Sequence, residues 1–198
     1  MPRHRLYDRE QSLDRAVELF WAQGFHATSL KDLERTLDMR PGSIYAAFGS
    51  KQALFEAALD RYAARGLEDL EAKLARHASP LDGLAAYVRE LGDLHAQASP
   101  SRACLLVKSL LELGDREPLA RDKADALLAV MEKRFIEAFH AAKASGELAA
   151  GQDPTALGRR LQVEIMGLRA YAQRAVASAA ICQVANDLAR SIIERRHH

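Results

Sequence analysis

Hydrophobic positions near the start of the chain follow a helical period. From Ser12, the residues Leu13, Ala16, Val17, Phe20 and Gly24 fall at i, i+3, i+4, i+7 and i+11, the spacing of one helix face. Gly24 is placed to end that helix, because glycine accepts the left-handed conformation common at helix ends. Thr28 and Ser29 can each cap a second helix, and Ser29 with Asp32 forms a variant capping box in which Asp replaces the usual Glu. Leu30, Leu33 and Leu37 are the inward positions of this short helix. The chain then turns at Met39-Arg40-Pro41-Gly42-Ser43 and restarts, since proline is disfavoured inside a helix but pre-set for its first turn. Ile44 and Phe48 face inward on the third helix, and Gly49-Ser50 end it. A fourth helix is expected from about Lys51 to Arg65, with Leu54, Phe55, Ala58 and Leu59 inward.

Further along, breakers are sparse. Ser79-Pro80, Ser99-Pro100, Gly114 to Pro118 and Ser145 to Pro154 read as loops between long helical patterns. The clearest of these are Ala124, Leu127, Leu128, Met131, Phe135, Ala138 and Ala142; then Leu157, Leu161, Ile165, Leu168 and Ala172; then Ile181, Val184, Ala185, Leu188 and Ile192. The expected fold class is all-α: an N-terminal three-helix head over residues 1–50, joined by a connector helix to a C-terminal helical bundle within 51–198. Composition agrees, with 48% hydrophobic residues, six Pro and few β-branched runs.

Charge adds a constraint. Against 28 Lys and Arg stand 27 Asp and Glu, a formal net charge of +1, so any nucleic-acid binding must come from local placement and not from a bulk positive field. The two cysteines, Cys104 and Cys182, match neither a zinc spacing nor a secreted disulfide framework, and a reducing cytoplasm is the expected location. No stretch reaches the roughly 20 apolar residues of a membrane span, and the N-terminal residues lack a signal-peptide core.

The chemistry gathers at the second and third helices. A helix, a tight turn and a second short helix starting with Pro, Gly and Ser can place that second helix in a major groove while the first braces on the backbone. Arg40 can pair with guanine or a phosphate, Ser43 can reach a base edge, and Tyr45 can donate its hydroxyl to a phosphate; Pro41 and Gly42 keep the start of the helix small. Thr28, Ser29 and Lys51 stand at helix N-termini, where exposed N–H groups favour a phosphate oxygen. The arm before the first helix brings Arg3, His4 and Arg5 without an acid; Arg3 and Arg5 can enter a minor groove, or the arm is a solvated terminus.

From Thr28 to Phe55 the chain reads T-S-L-K-D-L-E-R-T-L-D-M-R-P-G-S-I-Y-A-A-F-G-S-K-Q-A-L-F. This resembles the TetR family of repressors: a Thr-Ser start, an Asp in the second helix, a short turn, Gly-Ser, an apolar residue, Tyr, two variable residues, Phe, then Lys and Leu. Three positions depart from the pattern. Glu34 and Asp38 stand where the family usually has Ala and Gly, and Ala47 replaces a frequent His, so the phosphate contact of that His is not carried over. The resemblance is strong from about Ser12 to Phe55; beyond, only the helical layout and a D-P-x-x-L start to the penultimate helix agree.

The resemblance implies a sequence-specific transcription regulator, a repressor that binds a palindromic double-stranded operator as a homodimer and is released by a small-molecule effector. The last two helices suit dimerisation, with Gly167, Ala170, Ala177, Ile181, Val184, Leu188 and Ile192 as the expected interface; burial within one subunit is the alternative reading. The effector pocket that the resemblance implies among the central helices would draw on Tyr87, Leu91, His95, Cys104, Lys108, Leu111, Met131, Phe135, Phe139, Met166 and Tyr171, each of which could equally be plain core. Lys108 would suit an anionic effector, or pair with Glu112 one turn on.

Three other readings compete. Cys104 could make the protein a thiol sensor. Glu137-x-x-His140 and Glu194-x-x-His197 have the Glu-x-x-His spacing of di-iron bundles. His197 and His198 close the sequence after two arginines, however, and Glu137 suits a solvated face, so no metal, cofactor or enzymatic activity is expected. An architectural DNA binder without an effector is the third; it would show no sequence preference.

Overall fold

The computed structural model describes residues 9–93, 100–114 and 116–196. The described residues form helices α1 (Arg9–Gln23), α2 (Leu30–Leu37), α3 (Pro41–Phe48), α4 (Lys51–Ala75), α5 (Pro80–Gly92), α6 (Leu105–Leu113), α7 (Pro118–Ala144), α8 (Pro154–Ala172) and α9 (Ser178–Ile193). The β-pairing among them is a single antiparallel bridge, Leu148 with Arg196. No helix among the described residues is long and apolar enough to cross a membrane.

Helix α4 runs ten residues past the expected end near Arg65. Gly66 lies inside it, and one internal glycine costs only about 1 kcal/mol relative to alanine. Strong helix formers follow up to Lys73, and Leu70 is fully buried in the core, which holds the extra turns in place.

Two compact units result, and they do not follow the chain order expected above. The first takes residues up to Ala63 together with Leu105–Asp125, so the head extends past residue 50 and recruits α6 from the middle of the sequence. Its core stacks aromatic rings: Phe20 on Phe55 edge-on at 4.9 Å, and Phe25 on Phe55 at 4.9 Å. Leu13, Val17, Leu33, Leu37, Ile44 and Phe48 close around them, all buried. At the edge of this unit Arg61 of α4 pairs with Asp14 of α1 at 2.8 Å and with Glu10 at 3.1 Å, while Lys123 pairs with Asp60 at 2.6 Å.

The second unit holds Ala64–Cys104 and Ala126–His198. Its core joins α5, α7, α8 and α9 through residues such as Leu81, Leu84, Val88, Phe135, Phe139, Leu161, Leu168 and Ile181. Helix α9 lies close against α5 because Gly92 has no side chain there; a Cβ at that position would stand 2.7 Å from the Cβ of Ala185. Arg134 joins α7 to Glu71 of α4, and Lys73 joins α4 to Glu90 of α5.

Of the expected dimer residues, Ile181 and Ile192 are buried in the core of this unit, so protomer packing accounts for both. Val184 and Leu188 are half-buried against the same core. Gly167, Ala170 and Ala177 are exposed, and with Val163, 67% exposed, two of them continue an outward row along α8.

Candidate nucleic-acid interface

The first unit contains the expected helix-turn-helix, and short-range hydrogen bonds define each corner of it. Helix α1 ends at Gly24, whose φ of +87° is the left-handed region that glycine tolerates at little cost. Ser29 caps α2: its Oγ accepts from Asp32 N–H at 3.2 Å, and the Asp32 carboxylate accepts from Ser29 N–H at 3.0 Å. Bonds from Ser29, followed by the charge of Arg35, hold the Asp32 carboxyl below its ordinary pKa. The turn into α3 pivots on Asp38, left-handed with φ 53° and ψ 44°. Its N–H donates to Glu34 O, which closes α2. Arg40 then supplies the carbonyl that accepts from Ser43 and Ile44 N–H, at 2.9 and 3.1 Å, and Pro41 occupies the first helical position.

One side of α3 is packed and the other is open. Ile44 and Phe48 are buried, whereas Arg40, Gly42, Tyr45, Ala46 and Ala47 are exposed, with Pro41 and Ser43 half-buried. Arg40, Gly42, Ser43 and Tyr45 are thus brought to one accessible edge, as a groove-reading helix requires. Beside Arg40 an open depression of about 480 Å³ is lined by Lys31, Glu34, Arg35, Asp38 and Met39, a face of mixed charge.

Three of the expected phosphate contacts are engaged within the protein, and the first is Ser29, whose N–H and hydroxyl both donate to the Asp32 carboxylate, at 3.0 and 2.6 Å. Thr28 is fully buried and its hydroxyl donates to Gly24 O at 2.6 Å, closing the α1–α2 turn, so that hydroxyl is not presented to a phosphate. Lys51 lies at the start of α4 with its ammonium 4.3 Å from the centre of the Phe25 ring. Partial burial lowers its pKa, and the nearby carboxylates of Glu112 and Glu117 offset this in part. Arg3 and Arg5 lie outside the described residues.

Helix α6, which the sequence places far from the head, holds the end of α1 from both sides of the charge scale. Lys108 Nζ donates to Trp21 O at 2.6 Å and to Ala22 O at 3.3 Å, carbonyls of the last turn of α1. A cation there satisfies acceptors that the helix leaves open and complements its dipole. Glu112 accepts from Phe25 N–H at 3.1 Å and from His26 N–H at 2.6 Å, donors of the turn that follows. Both side chains reach back to the head instead of forming the expected intrahelical pair. Lys108 thus bonds to the head, and desolvation of its partly buried ammonium lowers its pKa. No sequence signal marked this role, because the partners are backbone carbonyls and N–H groups. Leu111 belongs to the first unit and is 83% exposed.

The remaining pocket residues fall in the second unit. Leu91, Phe135 and Phe139 belong to its core, Tyr87 stacks at 6.1 Å from Phe135, and Met131 and Tyr171 pack on the same cluster. Burial pushes the Tyr87 hydroxyl up to about 12, so it is a neutral donor at physiological pH. Met166 and Cys104 are half-buried. The loop before Cys104 is fixed by Gln173, whose Oε1 accepts from the N–H groups of Arg102 and Ala103 at 3.1 and 3.2 Å. His95 lies outside the described residues. Glu137, considered above as a metal ligand, faces Lys133 and Arg134, and His197 and His198 lie outside the described residues.

Residues 13–58 match the family model described as bacterial regulatory proteins, tetR family, and residues 80–187 match that of the tetracyclin repressor-like C-terminal domain. The HTH-type transcriptional repressor ComR of Escherichia coli (strain K12) is 30% identical over 192 residues, covering 95% of this chain and 90% of ComR. Among solved structures, a cysteine mutant of the TetR family transcriptional regulator CifR, complexed with 26-base-pair double-stranded operator DNA, matches with a TM-score of 0.86 and 30% identity over 96% of this chain and 99% of that one. A TetR family regulator from Cytophaga hutchinsonii shares the fold, with a TM-score of 0.84 at 21% identity over 96% and 95% of the two chains.

Proposed function

The chain belongs to the TetR family of bacterial regulatory proteins and is a DNA-binding transcriptional regulator, and we propose that it represses from a palindromic operator, which it binds as a homodimer through α3. The observation that carries this reading is the exposed edge of α3. Arg40, Gly42, Ser43 and Tyr45 face outward at the start of a helix whose opposite side is locked by Ile44 and Phe48. Operator DNA in the complex of the CifR mutant, and repressor activity in the name of ComR, support the same reading by relationship. The exposed row on α8 joins the apolar Val163 to the small Gly167 and Ala170, a surface over which a second copy approaches closely.

Release by a small-molecule effector completes the proposal, with the cluster around Tyr87, Phe135 and Tyr171 as its binding region. Such an effector lowers operator affinity only if it binds the non-DNA-binding state more tightly. Selection of duplexes from a randomised pool by the full-length protein, followed by footprinting, tests the reading. Enrichment of an inverted repeat is the expected result, and failure to enrich any sequence overturns it.

A second reading, release by thiol modification, is favoured by the free, half-buried thiol of Cys104 immediately before the first turn of α6. Unchanged operator affinity after titration with N-ethylmaleimide removes it.

A further inference from the structure

Between Pro41 and Phe48, α3 carries no charged side chain. Its outward surface is set by helix geometry. At about 100° per residue, Ala46 lies two residues from both Ile44 and Phe48 and so points almost directly away from that buried pair. Gly42, one turn earlier on the same side, is exposed, and a Cβ built there meets no atom within 4 Å. Ala47 extends the same small surface on the Ser43 side and is also exposed. The centre of the outward edge therefore presents two methyl groups and bare backbone, with the half-buried Ser43 hydroxyl beside them and Arg40 and Tyr45 at its ends.

A methyl group can neither donate nor accept a hydrogen bond. Of the four bases, only thymine offers it a matching feature in the major groove, the C5-methyl, and alanine contact with that methyl is a recognised mode of base readout. Gly42 strengthens the argument, because the absence of a side chain beside Ala46 lets the helix approach near enough for methyl-to-methyl contact.

We propose that Ala46, flanked by Ala47, reads the C5-methyl of thymine in each half-site, so that methyl contact specifies the centre of the operator half-site. The proposal rests on the reading that α3 enters the major groove, and adds the chemistry by which it discriminates.

The test uses the full-length protein and the duplex it selects from a randomised pool. Thymines in each half-site are replaced one at a time by deoxyuridine, which removes the methyl and leaves base pairing intact. At one or two thymines per half-site the affinity is expected to fall about fourfold, the factor that corresponds to roughly 0.8 kcal/mol for one buried methyl-sized group. Replacement in both half-sites gives about fifteenfold by the same arithmetic. Ala46→Gly is expected to lose the distinction between thymine and deoxyuridine at one position, and Ala47→Gly at a neighbouring one.

The thymine-to-deoxyuridine ratio is read within one protein, so a general loss of helix stability in the glycine variants does not imitate the result. Three outcomes overturn the proposal while leaving DNA binding intact: a half-site without thymine at its centre, deoxyuridine substitutions that all bind as the parent duplex does, or a penalty that survives both glycine variants. A protein that selects no duplex overturns the regulator reading and this proposal together.

Discussion

Glu112 and Phe25 stand 87 residues apart in sequence, yet the carboxylate of one accepts the backbone N–H of the other at 3.1 Å and that of the next residue, His26, at 2.6 Å. The bond fastens α6 to the turn that leads into the helix-turn-helix. Removing the carboxylate leaves one part-buried donor, Phe25 N–H, and one exposed donor, His26 N–H, without their charged acceptor, for which about 1–2 kcal/mol is the expected order of loss. Glu112→Ala is expected to lower unfolding stability by that amount in urea, with a parallel loss of operator affinity at fixed salt, and Glu112→Gln to lose less.

Gly24 shares that corner. Any Cβ there would overlap the Glu112 carboxylate, and the φ of +87° is costly for other residues. Gly24→Ala is expected to destabilise by about 2 kcal/mol or more, from the left-handed conformation and the displaced side chain together. Because Glu112→Ala removes the obstructing group, the two substitutions should be less than additive in a double-mutant cycle measured by denaturant unfolding.

Asp38 holds a left-handed conformation in the turn between α2 and α3 with φ 53°. Asp38→Gly relieves that conformation and adds some entropy to the unfolded chain, so a net gain of about 0.5 kcal/mol is expected. A rise in the midpoint of thermal unfolding with operator selectivity unchanged is the corresponding observation.

On the DNA side, Tyr45→Phe is expected to weaken binding to all duplexes alike, as loss of a phosphate contact does, whereas Arg40→Ala should in addition relax base preference. Lys51 rests on the Phe25 ring, so a phosphate role requires it to leave that ring on binding. The slope of log affinity against log salt decides the matter: Lys51→Gln is expected to reduce it by about 1 per protomer, and an unchanged slope means that Lys51 stays on Phe25.

Tyr87 gives a pH-dependent signature. Its hydroxyl is pushed up to about 12 by burial, against an ordinary value of 10.0. Between these values the unfolded chain releases a proton that the folded chain keeps, so stability is fully present below pH 10 and falls as pH rises toward 12. Urea unfolding at increasing alkaline pH should show this loss, and it should be smaller in Tyr87→Phe than in the parent.

The legible part of the protein is the part written in local spacing. Ser29 and Asp32 bond to each other three residues apart, Asp38 bonds back to Glu34, and Pro41 starts α3 from within the chain's own turn, so neighbouring residues were sufficient to predict α2, α3 and the edge between them. The loops at Ser79-Pro80 and Ser145 to Pro154 were equally local.

Other assignments depended on what lies across the fold. Thr28 has the side chain of a cap or a phosphate ligand, but the carbonyl of Gly24 claims its hydroxyl once the turn is buried. Ile181 and Ile192 have the spacing of an interface, and the core of their own unit takes them. The sequence by itself determined an all-helical chain with a short helix over Pro41–Phe48, because capping and periodicity act within a few residues. Only the tertiary structure decided that Lys108 and Glu112 belong to the head, since their partners are backbone carbonyls and N–H groups, which every residue carries and no sequence pattern distinguishes.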